Sequence, residues 1–568
     1  MRHAPAHPRP VHDRPPAAHW PWADRRGASG VREPAGGEDL WRRRLASPRW
    51  RGAMAMAAGA LPAPAFPEPS LWWWAYVALV PWLLLVRSAP TGRRAVLDGW
   101  LGGAGFLLAV HHWLMPSLHV FIVVLALLLG LLWAPWGWLT HRLLHGRPGP
   151  GRVAAALVLL PSAWLMAELV RSWQYLGGPW GLLGASQWQL APALRLASVG
   201  GVWLLGFLLV VVNVAVTVLI AVARARTVAL AGLTACGAVA AGVWVWAPPA
   251  QESGTARIAV VQPGVVRGPG PRFERGAELT RQLAGRRVDL VVWGESSVGQ
   301  DLTGHPELSR RLAALSRRVG ADLLVNVDAR RSDRPGIYKS SVLIGPDGPT
   351  GQRYDKMRLV PFGEYIPARP LLGWATSVGK AAGEDRQRGT RQVVMRLPGA
   401  LRIGPLVCFE SAFPDMSRNL VRDGARMLVV QSSTSTFQNS WAPEQHASLA
   451  ALRAAETWRP MVHATLTGQS AVFGPRGEPV GPRMSTGTSA VTVYSVPLGR
   501  GTSPYVRIGP WPVYGAVAAL AVFCAAEGGR ALRRRTDRPS DGPRAPRTDG
   551  PRARPPDQRA DQPTPGRP

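Results

Sequence analysis

The chain has 568 residues, 47% of them apolar, with 25 Trp and a formal net charge of +31, yet its mean hydropathy is only +0.01. That length exceeds one ordinary domain, and a mean near zero is here the average over unlike parts. The positive charge is spread over tails and short loops that hold no RNA- or DNA-binding motif, which argues against a nucleic-acid partner and for an anionic membrane surface.

Residues 1–52 hold eleven Arg against five acids, and 529–568 repeat that count, so the two ends supply +12 of the charge. Both ends are rich in Pro, Gly and Arg, which predicts disordered basic tails over 1–51 and 529–568. Between them, apolar segments of membrane length or nearly so occur near 52–66, 71–86, 97–115, 119–140, 153–170, 196–222, 227–247 and 508–527. Eight spans are expected, seven of them in a membrane domain over 52–249 and the eighth over 507–528.

The connections Arg87–Arg94, His141–Arg152 and Ala223–Arg226 are basic, whereas Pro67–Ser70 and Met115–Leu118 are not. Placing the basic loops and both termini in the cytoplasm satisfies the positive-inside rule at every short loop but 171–195, which carries Arg171 and Arg195. Residues 250–506 then lie on the extracytoplasmic side. Leu71–Trp74 reads as an interfacial aromatic belt. The aromatic, glycine-rich stretch 171–195 is either an ordinary interfacial loop or a platform beneath the soluble domain. Glu168, near the end of an apolar span, is either paired or water-exposed within the protein or a helix-end group snorkelling to the interface.

From residue 256 short β-branched runs alternate with helical stretches, which predicts an α/β domain with helices packed on sheet. Strands are expected at Arg257–Gln262, Val288–Trp293, Ala321–Val327, Ser341–Ile344, Leu401–Cys408, Arg426–Gln431, Met461–Thr465 and Ser470–Phe473. Helices are expected at Phe273–Ala284, Pro306–Val319, Pro414–Asp423 and Pro443–Thr457.

Of three cysteines, Cys236 and Cys524 lie in apolar stretches, and Cys408 ends a strand-like run in Ile403-Gly-Pro-Leu-Val-Cys408-Phe-Glu410. With no partner in its own domain it gains no structural disulfide, so packing or reactivity must account for it. The basic residues are 63 Arg and only Lys339, Lys356 and Lys380. In so Arg-biased a chain a retained Lys marks a place where a compact ammonium is needed. Glu295 in Val291-Val-Trp-Gly-Glu-Ser296, and Lys356 and Glu364 in Tyr354–Glu364, precede the cysteine. A carboxylate serves as base for a thiol, and an ammonium favours the thiolate and steadies the oxyanion after attack on a carbonyl. Each of these residues alone has a plainer reading, as a surface charge or a small buried hydrophobe.

Together they resemble the nitrilase superfamily, whose Glu–Lys–Cys triad lies on an αββα sandwich, and the membrane spans narrow the resemblance to its apolipoprotein N-acyltransferase branch. The motifs that carry it are Trp164–Glu168 through Gly178–Gly181, Ser198–Trp203, Tyr354–Pro367 and Cys408–Ser411, with Pro361-Phe-Gly-Glu-Tyr-Ile-Pro367 the most specific. The resemblance implies a polytopic helical membrane domain plus an extracytoplasmic nitrilase-like domain over 250–506. It implies Glu295 as general base, Lys356 as oxyanion partner, Cys408 as nucleophile, and Glu364 and Glu410 as supporting residues. It also implies transfer of an acyl chain from a phospholipid, by way of a Cys408 thioester, to the α-amine of a diacylated apolipoprotein in a bacterial cell membrane. No metal or cofactor is expected. Trp374, in a proposed lid over Leu359–Gly379, and Phe409 are candidate substrate-lining residues. The chain departs from the family pattern at Gly294, where Pro is usual, at Phe409, where Tyr is frequent, at Ser432–Phe437, an Asn-rich loop elsewhere, and at Leu466, where Asn is common. Two other functions stay open at this point. One is a membrane-tethered amidase that passes its acyl group to water, and the other a non-catalytic scaffold for a lipoprotein or a glycosyltransferase.

Overall fold

The computed structural model describes residues 47–373 and 383–536. Its N-terminal half is helical: α1 (Pro48–Ala60), α2 (Val80–Arg87), α3 (Gly92–Val110), α4 (Phe121–Gly130), α5 (Ala134–Leu144), α6 (Pro150–Arg171), α7 (Ala191–Ala221) and α8 (Arg226–Trp246). Five helical stretches among the described residues are long and apolar enough to cross a membrane: Phe121–Leu144, Pro150–Arg171, Ala191–Ala221, Ala223–Trp246 and Trp511–Arg533. The expected segments at 52–66 and 71–86 are shorter, the second being the apolar stretch Trp72–Arg87. The expected 97–115 begins earlier, as α3, which also carries Arg93, Arg94 and Asp98.

Large rings seated against glycines hold these helices together. Trp82, Trp133, Trp136 and Trp164 are fully buried, with ring centroids 4.8 Å apart for Trp82 and Trp136 and 5.4 Å for Trp133 and Trp164. A Cβ on Gly102 would fall 2.0 Å from the Trp82 ring, and one on Gly99 would fall 2.8 Å from the Gly137 Cα, so small residues are required at both crossings.

The soluble domain holds two sheets. The first, ordered β11-β1-β2-β3-β4-β5, comprises β1 (Gln251–Gln262), β2 (Leu290–Trp293), β3 (Asp322–Arg330), β4 (Ile337–Gly345), β5 (Gly348–Asp355) and β11 (Ala490–Arg500). The second, ordered β10-β9-β8-β7-β6, comprises β6 (Met395–Arg396), β7 (Arg402–Val407), β8 (Met427–Ser432), β9 (Met461–Thr465) and β10 (Ala471–Phe473). Alternation along each strand sorts side chains to the two faces. Ile258, Val260, Val292 and Leu324 meet Ile403, Val407, Val429 and Val462 in the core between the sheets. Ala259, Val261, Val291 and Val325 pack outward on α9 (Pro269–Arg281) and α10 (Pro306–Val319). The outer face of the second sheet, with Leu406, Leu428 and Val430, packs on α11 (Pro414–Arg422) and α12 (Ala442–Thr457) in one apolar cluster that continues into the membrane helices. The expected αββα arrangement is therefore present, and its second helical layer is shared with the membrane domain. Strands β5, β6 and β11 were absent from the sequence expectation.

Polar side chains fix how α12 meets the membrane helices. Gln445 donates from Nε2 to the Pro67 carbonyl at 2.9 Å, and its Oε1 accepts from the indoles of Trp113 at 3.1 Å and Trp180 at 2.8 Å. About two helical turns on, Arg453 and Glu456 form a buried ion pair with Nε to Oε2 at 2.8 Å. Glu456 Oε1 also accepts from the Val202 amide at 2.7 Å. That amide follows Gly201, whose φ of 69° and ψ of −175° break the helical path of α7. The stretch 171–195 lies beneath the soluble domain, with Trp180 against His446 at 5.1 Å between centroids. Glu168 is not a snorkelling group: it is 1% exposed and accepts from the Leu183 amide at 2.7 Å.

Removing one partner of a buried pair strands the other charge, at a cost of about 3–5 kcal/mol, whereas replacing both with apolar groups can be close to neutral. Arg453→Met is expected to lower the unfolding free energy by about 3 kcal/mol, and Arg453→Met with Glu456→Leu by less. Thermal unfolding in detergent, analysed as a double-mutant cycle, checks this.

Candidate active site

Four chain segments converge at one end of the sandwich. Glu295 follows β2, Lys356 follows β5, Glu364 lies in the loop beyond it, and Cys408 follows β7. Parallel strands deliver loops to the same sheet edge, so β2 and β7, in facing sheets, bring their following residues together. Lys356 Nζ lies 2.8 Å from Glu364 Oε1 and 3.4 Å from Glu295 Oε1. A second lysine, Lys339 on β4, reaches the same two oxygens, at 2.9 Å from Glu364 and 2.8 Å from Glu295. Glu364 Oε2 accepts from the Val360 amide at 2.8 Å.

Burial opposes charge on both carboxylates, but the two ammonium groups outweigh it. Glu364 is held down at about 2 and Glu295 below its ordinary value. Burial also opposes charge on Lys356, and the carboxylates more than reverse that. The thiol goes the other way. Burial first, and then the Glu295 charge, push Cys408 up to about 12, with Lys356 only partly countering them. Lys356 does favour the thiolate, but burial, and then the carboxylates, outweigh it around the sulfur. A neutral thiol beside an ionised carboxylate is an arrangement in which general-base proton transfer can accompany attack by the sulfur.

Cys408 has φ of +52°, a left-handed conformation that is strained for a residue with a Cβ. His446 of α12 holds its carbonyl, with Nε2 to the Cys408 oxygen at 3.0 Å. Because that carbonyl only accepts, Nε2 carries the proton, and Nδ1, 3.1 Å from Ser432 Oγ, accepts from that hydroxyl. Burial pushes His446 down to about 4, so the ring stays neutral near pH 7. Glu410 is fully buried and ties the loops together. Its Oε1 accepts from Tyr354 Oη at 2.7 Å and from the Met357 and Arg358 amides at 2.7 and 3.0 Å, and its Oε2 accepts from the Val407 amide at 2.8 Å.

A cavity of about 400 Å³ opens from Cys408. Phe409, Phe437 and His446 line its soluble side, and Phe121, Ile122, Leu125 and Leu129 of α4 line its membrane side. Phe409 is buried and packs on Phe413 at 5.0 Å between centroids. Trp374 lies outside the described residues. Sequence reasoning missed the parts played by Gln445 and His446, which sit in a helix with no linear motif, and Asp328, 3.9 Å from Lys339. Lys339 carried a signal, as one of only three lysines.

The departures from the family pattern at Gly294, Ser432–Phe437 and Leu466 form one patch. A Cβ on Gly294 would fall 1.9 Å from the Leu466 amide nitrogen. The Ser432 carbonyl accepts from the amides of Glu295 at 3.1 Å and Leu466 at 2.8 Å.

Residues 257–503 match the carbon-nitrogen hydrolase family and residues 58–215 the apolipoprotein N-acyltransferase N-terminal domain. The fold and these matches define a membrane protein with a nitrilase-like domain, an acyltransferase within that superfamily. Among curated proteins, the apolipoprotein N-acyltransferase of Geobacter metallireducens is 30% identical over 510 residues, covering 84% of this chain and 96% of its own. That of Azotobacter vinelandii is 31% identical over 529 residues, covering 88% of this chain and 98% of its own. Among solved structures, a CN-hydrolase superfamily protein from Xanthomonas campestris matches 43% of this chain and 91% of its own, at 20% identity and a TM-score of 0.34. The chain belongs to the apolipoprotein N-acyltransferase family.

Gly294→Ala forces the backbone around Leu466 apart, and a loss of about 1–3 kcal/mol is expected, read as a lower thermal midpoint. A depressed carboxylate pKa contributes stability that is present above its unfolded value and lost as pH falls toward the folded one. For Glu364 that window runs from 4.5 down to about 2. Glu364→Gln should make the stability of the protein less pH-dependent within it, as measured by denaturant unfolding at stepped pH.

Proposed function

We propose that this protein N-acylates apolipoproteins, taking the acyl chain from a membrane phospholipid through a thioester on Cys408. The observation that carries this reading is the cavity at Cys408, whose far wall is the apolar face of α4. Apolar lining of this kind suits an acyl chain, and its volume falls within the ordinary range for small-ligand sites, about 300–1,000 Å³.

In this reading Glu295 takes the thiol proton as Cys408 Sγ attacks the ester carbonyl, and the Lys356 ammonium stabilises the tetrahedral oxyanion. Collapse breaks the ester C–O bond, and the proton held by Glu295 passes to the departing oxygen, releasing a lysophospholipid. The free α-amine of the diacylated N-terminal cysteine then attacks the thioester. Glu295 receives a proton from the attacking nitrogen and returns one to the leaving sulfur, restoring the thiol. Glu364 keeps Lys356 in place, and Glu410 holds the loops of Lys356 and Cys408 in register. The positive-inside pattern supports placing this site on the extracytoplasmic side, within lateral reach of outer-leaflet acyl chains and the lipid-modified N-terminus.

Purified protein incubated with phospholipid should gain a hydroxylamine-labile acyl adduct on Cys408, read by peptide mass spectrometry, and Cys408→Ala should gain none. Adding a diacylated lipopeptide should clear the adduct and place the chain on the peptide's amine. Clearance by water alone would indicate an amidase, and folded protein with no adduct would indicate a scaffold.

A further inference from the structure

We propose that Lys339 is a positioning residue for acyl transfer: it clamps one oxygen of both Glu295 and Glu364, which leaves the other Glu295 oxygen free to take the Cys408 proton and Lys356 able to serve the oxyanion. The proposal rests on the reading of Glu295 as base and Cys408 as nucleophile.

Three independent observations support it. The first is compositional: in a chain with 66 Lys and Arg but only three Lys, both lysines among the described residues meet in this one cluster. A guanidinium is a planar fork, whereas an ammonium is a compact point donor that fits between two carboxylate oxygens. The second is geometric. Lys339 and Lys356 both address Oε1 of Glu295 and Oε1 of Glu364. Glu364 Oε2 is taken by the Val360 amide, so among the described residues Glu295 Oε2 is the carboxylate oxygen of this pair that accepts no hydrogen bond. A base needs such an oxygen.

The third is charge balance. Two carboxylates beside a single ammonium favour holding a shared proton, which would neutralise the base. A second ammonium lets both ionise. The remaining groups around Glu295 do not alter that balance. Asp328 of β3, 3.9 Å from Lys339, is itself met by Arg386 at 3.4 Å and by the Ser296 hydroxyl at 3.1 Å. His446 of α12 is kept neutral by burial, and Cys408 is a thiol at rest. Lys356 is fully enclosed while Lys339 keeps 14% of its side chain exposed, so the two ammonium groups meet the carboxylates at different depths.

The test is the rate of Cys408 alkylation by iodoacetamide across acidic to alkaline pH, followed on the Cys408 peptide of the full-length protein in detergent. Lys339→Met is expected to move the acid limb of the profile up by about one pH unit, a loss of about tenfold at any pH on that limb, with recovery on the alkaline side. Lys339→Arg, which keeps the charge, is expected to leave the limb in place and to lower the plateau. A uniform loss at every pH for Lys339→Met would mean a merely structural role and would overturn the proposal. So would a profile that superimposes on the parent, or a limb displaced equally in Lys339→Arg. Glu295→Gln separates the underlying reading: if it keeps the parent acid limb, Glu295 is not the base, whereas if it abolishes the limb while Lys339→Met changes nothing, only the Lys339 proposal falls.

Discussion

The side-chain amide of Gln445 sets the register on which the rest of this molecule depends. It accepts from two tryptophan indoles and donates to a backbone carbonyl, and all three partners belong to connections between membrane helices. The next residue, His446, holds the carbonyl of Cys408. Two consecutive positions on α12 therefore fix the apolar wall of α4 and Cys408 relative to one another. Each partner is buried, so a slip in register would leave indole and amide groups unsatisfied, which costs more than the individual bonds contribute. A cavity whose two walls come from different halves of the chain needs a constraint of this kind.

Two kinds of buried charge occur in the chain, and they are built differently. Arg453 and Glu456 lie one turn apart on a single helix and satisfy each other, while the guanidinium also donates to the Ala412 carbonyl and the carboxylate accepts from the Val202 amide. The cluster at the Cys408 end draws its members from β3, β4 and the loops after β2 and β5, and in its Glu295–Glu364 pair it leaves Glu295 Oε2 without a hydrogen bond. The first arrangement serves packing; the second is open at the oxygen to which the proposed mechanism assigns a proton. The thiol beside it is raised rather than lowered, so the proposed chemistry at Cys408 draws on a base in place and not on standing ionisation.

Much of this was legible in the sequence where a local pattern coincides with a tertiary role. Met461–Thr465 and Pro306–Val319 have the expected bounds because a β-branched run and a Pro-initiated amphipathic repeat need no outside help. Cys408, Lys356, Glu295 and Glu364 stood out through strand-end placement and residue bias. β5, which opens Gly348-Pro-Thr-Gly, and β11, which carries Pro497, escaped notice because their order comes from antiparallel pairing with β4 and β1. His446 and Gln445 were illegible for a related reason: their partners lie far away in the chain. Helices α1 and α2 fall short of a full span because Pro62 and Pro64 follow the first and the 3-10 stretch Trp72–Tyr76 precedes the second.

Gly201 also bears on the order in which the molecule is made. Its non-helical backbone frees the Val202 amide in the middle of α7, and the oxygen that accepts from that amide belongs to Glu456, 254 residues later in the chain. A nascent chain inserted from its N-terminus carries that kinked helix in the bilayer well before its acceptor has been synthesised. The membrane half is therefore not a finished template onto which the soluble half is docked. The Val202 amide, like the indoles of Trp113 and Trp180, finds its partner only on α12, in the C-terminal half.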